Sequence, residues 1–284
     1  MLGKNPLRVQ SAPAGQFRKS TPLVLIHDGG GTTFGYFSLG SLYRDVWAVH
    51  NPHFFTAQPW EGGMDEMARH YIDLIEAAGI TGQILLGGWS LGGYLSVAIA
   101  RMLAVAPSVN LSIAGLLLID SPFHIPRCKL PPTEADPDLG GLPDLVKKSL
   151  NACDDLLQTW DLPGWNGSAT VDRAVPFTVG ASEFVAGRSS VPYKSIQDGW
   201  RNVETPTFMY DGGSRDDPAG PPPAVMLRCA KYRPPKAASS EPCRIDMFRS
   251  DPLLGWADNY PSFVKAVIDT DADHYKLFEM SRVR

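Results

Sequence analysis

Hydrophobic and polar residues follow two patterns along the first 120 residues of the chain. Short apolar or alternating runs predict β-strands at residues 22–26, 45–50, 83–86 and 113–119. Apolar residues spaced three and four apart predict helices over residues 64–78 and 94–102. Strands that alternate with helices form mainly parallel sheets with right-handed crossovers, so the predicted fold class is α/β.

The pattern changes after residue 120. Residues 121–200 are rich in proline, aspartate and aromatic residues and contain no evident core strand, so we expect a lid-like insertion there. Two further strands are predicted at residues 207–210 and 265–268, with a proline-rich loop over 216–242 between them. The expected organisation is an irregular N-terminal segment (1–20), an α/β core (21–120 and 201–284) and a lid insertion (121–200).

The composition of the chain argues against several classes of function. The net charge of −4 provides no excess of positive charge that would attract nucleic acid or an anionic membrane surface. No apolar run approaches the roughly 18 residues that cross a bilayer, and the N-terminus lacks the apolar segment of a signal peptide. The four cysteines form no C-x-x-C pair and have no histidine cluster beside them, so we expect reduced thiols, a cytoplasmic protein and no metal site.

Residues 84–103, ILLGGWSLGGYLSVAIARML, place one hydroxyl between two pairs of glycines. The pattern Gly88-x-Ser90-x-Gly92 is common by chance, but here it follows a predicted strand and opens a predicted helix. A strand, a sharp turn and a helix present a serine clear of the backbone and beside a helix N-terminus. We therefore predict that Ser90 is a nucleophile and that the glycines are small because strand and helix nearly touch.

A serine nucleophile needs a base, and the base needs a group that orients it. Of six histidines, His274 alone follows the last predicted strand, where the order serine, acid, histidine places the base. The acid stays open at this point, because aspartates follow two candidate strands: Asp120 after one, and Asp211, Asp216 and Asp217 after the other. The amide of Leu91, directly after the nucleophile, is an expected oxyanion donor, and the glycine-rich HDGGG after residues 22–26 is the expected second source.

The segments LVLIHDGGG, GGWSLGGYLSVAIA, LLLIDS and ADHYKLF resemble the thioesterase domains of polyketide and peptide synthetases, in the α/β-hydrolase superfamily. FRSDPLLGWADNY is similar to fungal members. The resemblance implies the α/β-hydrolase fold, Asp120 as the acid, and Gly30 with Leu91 as oxyanion donors. Because the chain starts with Met and contains no carrier or ketosynthase domain, we expect a free-standing enzyme that acts beside a separate synthase.

The resulting hypothesis is release of a polyketide acyl chain from the phosphopantetheine arm of an acyl carrier protein, through a seryl acyl-enzyme resolved by water or by a substrate hydroxyl. No cofactor of its own is expected. The acyl pocket is predicted to be walled by aromatic residues of the insertion: Trp160, Trp165, Phe177, Phe184, Tyr193 and Trp200. Two alternatives stay open, a carboxylesterase or lipase acting on free esters and a non-catalytic acyl-binding protein.

Overall fold

The computed structural model describes residues 3–15, 20–131, 141–165, 175–179, 182–186, 190–204, 220–234 and 243–279. Its eleven strands among these residues are β1 (Leu7–Gln10), β2 (Leu23–Ile26), β3 (Val46–Val49), β4 (Gly82–Trp89), β5 (Leu111–Ile119), β6 (Val175–Val179), β7 (Ser182–Ala186), β8 (Ser190–Lys194), β9 (Trp200–Glu204), β10 (Ala224–Cys229) and β11 (Val264–Thr270). The α-helices among them are α1 (Gly63–Ala77), α2 (Leu91–Val105) and α3 (Asp144–Thr159).

Nine strands form one sheet in the order β1-β3-β2-β4-β5-β10-β11-β8-β9, and β6 pairs with β7 in a separate hairpin. Only the outermost pairs of the large sheet, β1 with β3 and β8 with β9, are antiparallel. The other neighbours run parallel, which confirms the predicted α/β class. No helix among the described residues is both long and apolar enough to cross a membrane.

Apolar residues cover both faces of the large sheet. Successive residues of β2 belong to different clusters: Val24 and Ile26 pack with α1 and α2, whereas Leu23 and Leu25 pack on the opposite face. This division follows from the alternation of side chains along a strand. Eleven of the 15 residues of α2 are buried, so this helix lies within the core. A sheet covered on both faces leaves the ends of its strands as the accessible place for a site.

Three predicted elements require correction. The N-terminal segment is not wholly irregular, because β1 pairs with β3 and forms one edge of the large sheet. The proline-rich stretch contains β10, a central strand, whose buried Ala224 and Met226 were hidden by the flanking prolines. The supposed insertion contributes β8, which pairs parallel to β11 and extends the large sheet. The predicted strand at residues 207–210 lies outside the described residues.

Candidate active site

Ser90 lies at the turn between β4 and α2. Its backbone has φ 54° and ψ −114°, a conformation that a non-glycine residue holds only where the surroundings impose it. The Ser90 amide donates to the carbonyl of Ile119 at the end of β5 (3.0 Å), and the Ser121 hydroxyl donates to the Ser90 carbonyl (2.8 Å). Hydrogen bonds from the neighbouring strand therefore hold the turn in this strained form.

The glycines beside this turn meet backbone atoms. A side-chain carbon on Gly88 would lie 2.5 Å from the carbonyl oxygen of Ile26, and one on Gly92 would collide with the same oxygen. Real side-chain carbons do not approach a backbone oxygen so closely, so no larger residue fits without a shift of the strand or the helix. The prediction that strand and helix nearly touch here is confirmed.

His274 opens a short 3₁₀ helix (His274–Lys276) after β11 and is almost fully buried. Its Nδ1 lies 2.7 Å from Oδ2 of Asp120, the residue that directly follows β5. The Trp89 ring lies beside the imidazole, with ring centroids 5.4 Å apart. Since β4, β5 and β11 all end at the same edge of the sheet, the residues that follow them, Ser90, Asp120 and His274, lie at that edge, although 184 positions separate the first from the last.

Asp120 is held by more than His274. Arg249, itself buried, donates from one terminal nitrogen to Oδ1 (2.5 Å) and from the other to Oδ2 (2.9 Å). The Cys229 amide donates to Oδ1 as well (2.8 Å). The Nε of Arg249 donates to Asp246 (2.8 Å), so one guanidinium joins two buried carboxylates. Such bidentate, charge-assisted pairs are the strong hydrogen bonds of protein interiors.

Electrostatics keep Asp120 ionised. Burial favours the neutral acid, but the hydrogen bonds and charges of His274 and Arg249 outweigh it and hold the pKa of Asp120 well below its usual range. The same contact raises the pKa of Arg249 despite its burial. A permanent carboxylate on Nδ1 fixes the tautomer in which the other nitrogen, Nε2, can accept a proton.

Ser90 and His274 line a cavity of about 340 Å³. Its polar end is formed by these two residues with Asp28, Gly29 and Gly30 from the loop after β2. Leu91 is the first residue of α2, where an amide has no partner within its own helix. Gly30 and the turn before Leu91 are therefore both at this end of the cavity.

The apolar part of the lining comes mainly from one face of α3 and from two loops: Phe123, Ile125, Leu130, Val146, Leu150, Leu157, Met247 and Phe248. Val146, Leu150 and Leu157 are spaced so that they share a helix face. The arrangement thus joins a hydroxyl, an imidazole and a carboxylate to a space suited to an apolar group. Among the described residues, no group of three or more His, Cys, Asp or Glu side chains is placed to hold a metal ion.

The predicted aromatic wall is wrong for four residues, since none of them lines this cavity. Trp160 stacks on His124 with ring centroids 5.6 Å apart, and Trp165 lines a neighbouring cavity of about 510 Å³. Tyr193 is buried in β8, where its hydroxyl donates to Asp269, and Trp200 begins the edge strand β9. These aromatics extend the sheet and the core, which is the usual use of large apolar residues.

The remaining two predicted wall residues, Phe177 and Phe184, lie opposite each other on β6 and β7. Their side chains lie outside the described part of the chain. The alternative acids Asp211, Asp216 and Asp217 also lie outside the described residues.

No protein-family model matches the chain. It is 46% identical over 280 residues to the probable thioesterase KK1J of Curvularia clavata, an alignment that covers 99% of this chain and 91% of that one. It is also 46% identical over 289 residues to the probable thioesterase lcsE of Purpureocillium lilacinum, covering 97% and 90% of the two chains. The chain belongs to the thioesterase family.

Among solved structures, the thioesterase is similar to the NocB thioesterase domain in covalent complex with a fluorophosphonate nocardicin G analogue. The TM-score is 0.55 with 17% identity, and the match covers 93% of this chain and 91% of that one. At this identity the likeness shows the fold, which is that of the α/β-hydrolases. The fold predicted from the sequence motifs is thus confirmed.

Sequence reasoning missed two charged residues of the thioesterase site. Arg249 stands in the segment FRSDPLLGWADNY, where nothing in the local pattern separates a buried arginine from a surface one. Asp28 stands inside HDGGG, where it reads as a turn residue. Burial raises the pKa of the Asp28 carboxyl to about 6, against the opposing effects of the Gly30 amide and of nearby His274.

Proposed function

We propose that this thioesterase releases a polyketide acyl chain from the carrier protein of a partner synthase, through an acyl-enzyme on Ser90. The observation that carries the proposal is the cavity whose lining includes both Ser90 with His274 and the apolar face of α3. A thioester carbonyl at Ser90 would extend its acyl chain along that face. The resemblance to thioesterase domains of synthetases, whose substrates arrive on a pantetheine arm, supports a carrier protein as the partner.

The proposed chemistry proceeds in two steps. In the first step, the Ser90 oxygen attacks the thioester carbonyl while His274 Nε2 accepts the hydroxyl proton, and the amides of Leu91 and Gly30 hold the oxyanion. Collapse of this intermediate breaks the carbon–sulfur bond, and His274 returns the proton to the leaving thiolate. Asp120 keeps the imidazole oriented and stabilises its charged form throughout.

In the second step, water or a hydroxyl of the acyl chain attacks the acyl-enzyme, with His274 again accepting the proton and then returning it to Ser90. Attack by water forms a free acid, and attack by a hydroxyl of the chain forms a lactone. Exclusion of water from the cavity would favour the lactone.

Thiol release from acyl-N-acetylcysteamine thioesters, with intact-protein mass spectrometry, tests the proposal. Wild-type protein is expected to release thiol and to carry one acyl group during turnover, whereas Ser90→Ala does neither. Ser112→Ala changes an exposed serine of β5 and is expected to behave as wild type. Thiol release by Ser90→Ala at the wild-type rate would overturn the assignment of the nucleophile.

The same assay with matched oxygen esters separates thioester cleavage from a general esterase activity. We expect faster reaction of the sulfur ester for each acyl chain. A strong preference for oxygen esters would favour a carboxylesterase instead, and ligand binding without any covalent intermediate would favour an acyl-binding protein.

A further inference from the structure

Asp28 is a carboxylic acid at the polar end of the Ser90 cavity, which the mechanism above does not use. It follows β2 and lines the cavity together with Gly29 and Gly30. A side-chain carbon built on Gly30 would lie 3.2 Å from one carboxyl oxygen of Asp28 and 3.3 Å from the other. Both oxygens are therefore held over the residue whose amide is assigned to the oxyanion.

The Gly30 amide also lies close enough to the Asp28 carboxyl to favour its ionised form. An amide that already serves a carboxylate is not free for a second anion, and two negative charges sharing one donor repel each other. An acyl oxyanion and an ionised Asp28 consequently compete for the same place. The position of Asp28 beside Gly30 in the cavity lining therefore calls for a role of its carboxyl group.

Several titratable or charged side chains surround Asp28. His274, Tyr36 and Cys153 interact electrostatically with it: the charge of His274 favours its carboxylate, while the carboxylate contributes to the raised pKa values of Tyr36 and Cys153. The other such groups that line the cavity or adjoin the loop are His27, Tyr94, His124, Arg127, Asp154, Cys243, Arg244 and Tyr275. Arg127 pairs with Asp154 (2.6 Å) on the α3 side, so its charge is directed to that partner.

We propose that Asp28 is a further catalytic residue, whose carboxyl must be neutral when the acyl oxyanion forms and then donates its O–H to that oxyanion. The inference rests on the proposed function of Ser90. The carboxyl proton stays on Asp28 throughout, so the step forms only a hydrogen bond. The proton transfers between Ser90, His274 and the thiol are unchanged. A neutral carboxyl also attracts the Gly30 amide less strongly than a carboxylate does, so the amide can donate to the oxyanion as well.

Burial supports a neutral Asp28, because it raises the pKa of this carboxyl to about 6. A raised pKa means that the neutral form is well populated in mildly acidic solution and falls about tenfold for each pH unit above that value. Around pH 8 only about one molecule in a hundred would carry the proton. The reaction at Ser90 should therefore lose rate as the pH rises over this range.

The alternative is a purely structural role, in which the Asp28 side chain only stabilises a turn by accepting from the amide two residues later. The variant Asp28→Asn separates the two accounts, because asparagine closes such turns equally well yet cannot ionise. Its side-chain amide can also donate to an oxyanion. Asp144→Asn is the matched control, since it neutralises an exposed acid of α3 that lies outside the cavity lining.

The experiment measures the second-order rate of fluorophosphonate labelling of Ser90 from about pH 5 to about pH 8 in wild type and both variants. The probe's phosphoryl oxygen occupies the oxyanion position, so the rate reports the state of Asp28. We expect the ratio of the Asp28→Asn rate to the wild-type rate to rise at least about tenfold across this range, while Asp144→Asn follows wild type. If Asp28→Asn does not fold, Asp28→Ser provides the same comparison with a shorter acceptor.

A ratio that stays constant with pH would overturn the role of Asp28. Loss of labelling at every pH in folded Asp28→Asn would overturn it as well, because it would show that the carboxylate is required. Failure of wild-type protein to react at Ser90 would instead refute the proposed function. The two failures are therefore distinguishable in one data set.

Discussion

Replacement of Arg249 by methionine tests how the site is held together. The guanidinium donates two hydrogen bonds to Asp120 and one to Asp246, and all three side chains are buried. Methionine fills similar space but leaves two carboxylates without their cation. Loss of one partner of a buried ion pair typically costs about 3–5 kcal/mol, so we expect a loss of this size in the free energy of unfolding at neutral pH.

The pH dependence of this loss has a definite sign. The pKa of Asp120 is lowered in the folded protein, so its pairing stabilises the fold above the ordinary aspartate pKa of about 4 and is lost only as the pH falls through the lowered value. Without Arg249 the pKa of Asp120 rises, and the carboxyl becomes neutral in milder acid. The stability difference between wild type and variant should therefore shrink as the pH falls toward about 4.

Urea denaturation at several pH values, together with fluorophosphonate labelling, measures both effects. Arg228→Met is the matched control, because Arg228 is also buried and pairs with Asp269 (2.8 Å), a carboxylate outside the cavity lining. We expect both variants to lose stability but only Arg249→Met to lose labelling rate in the folded state. An Arg249→Met protein with wild-type stability and labelling rate would refute the reasoning.

Three further changes have definite expected results. Asp120→Asn should lower the labelling rate of Ser90 by about 10⁴-fold without preventing folding, because the imidazole loses its tautomer control; a rate within about tenfold of wild type would contradict this. Gly92→Ala should lower the free energy of unfolding by about 3 kcal/mol in chemical denaturation, because the added carbon collides with the Ile26 carbonyl. Gly164→Ala should not lower it, because a carbon added at Gly164 contacts no other atom of the described residues. Val146→Trp should slow thiol release from long acyl thioesters but leave acetyl thioesters unaffected; equal slowing of both would exclude α3 as the acyl wall.

The central part of the fold could be predicted because its sequence signals are local. Helix α1 was expected at residues 64–78 and is Gly63–Ala77, and the turn at Ser90 followed from the glycines on either side of it. Strand β4 continues through Gly87 and Gly88 to Trp89, beyond the predicted end, because those glycines serve close packing and do not end the strand.

The second half of the chain was less predictable because its elements are defined by distant partners. Strand β10 is surrounded by prolines, and its place in the sheet comes from pairing with β5 and β11. The pair of Arg249 and Asp120 joins positions 129 residues apart, which no local pattern encodes. The aromatic residues of the supposed lid were visible, but their destination in the sheet or the core depended on strands such as β8 that the pattern did not reveal.

The most direct test of the central claim is residue-level mass spectrometry of the fluorophosphonate adduct in wild type and His274→Ala. The account predicts a single adduct on the peptide that contains Ser90, formed rapidly in wild type and at least about a thousandfold more slowly without the imidazole. An adduct on another residue, or equal labelling of Ser90 in both proteins, would contradict it.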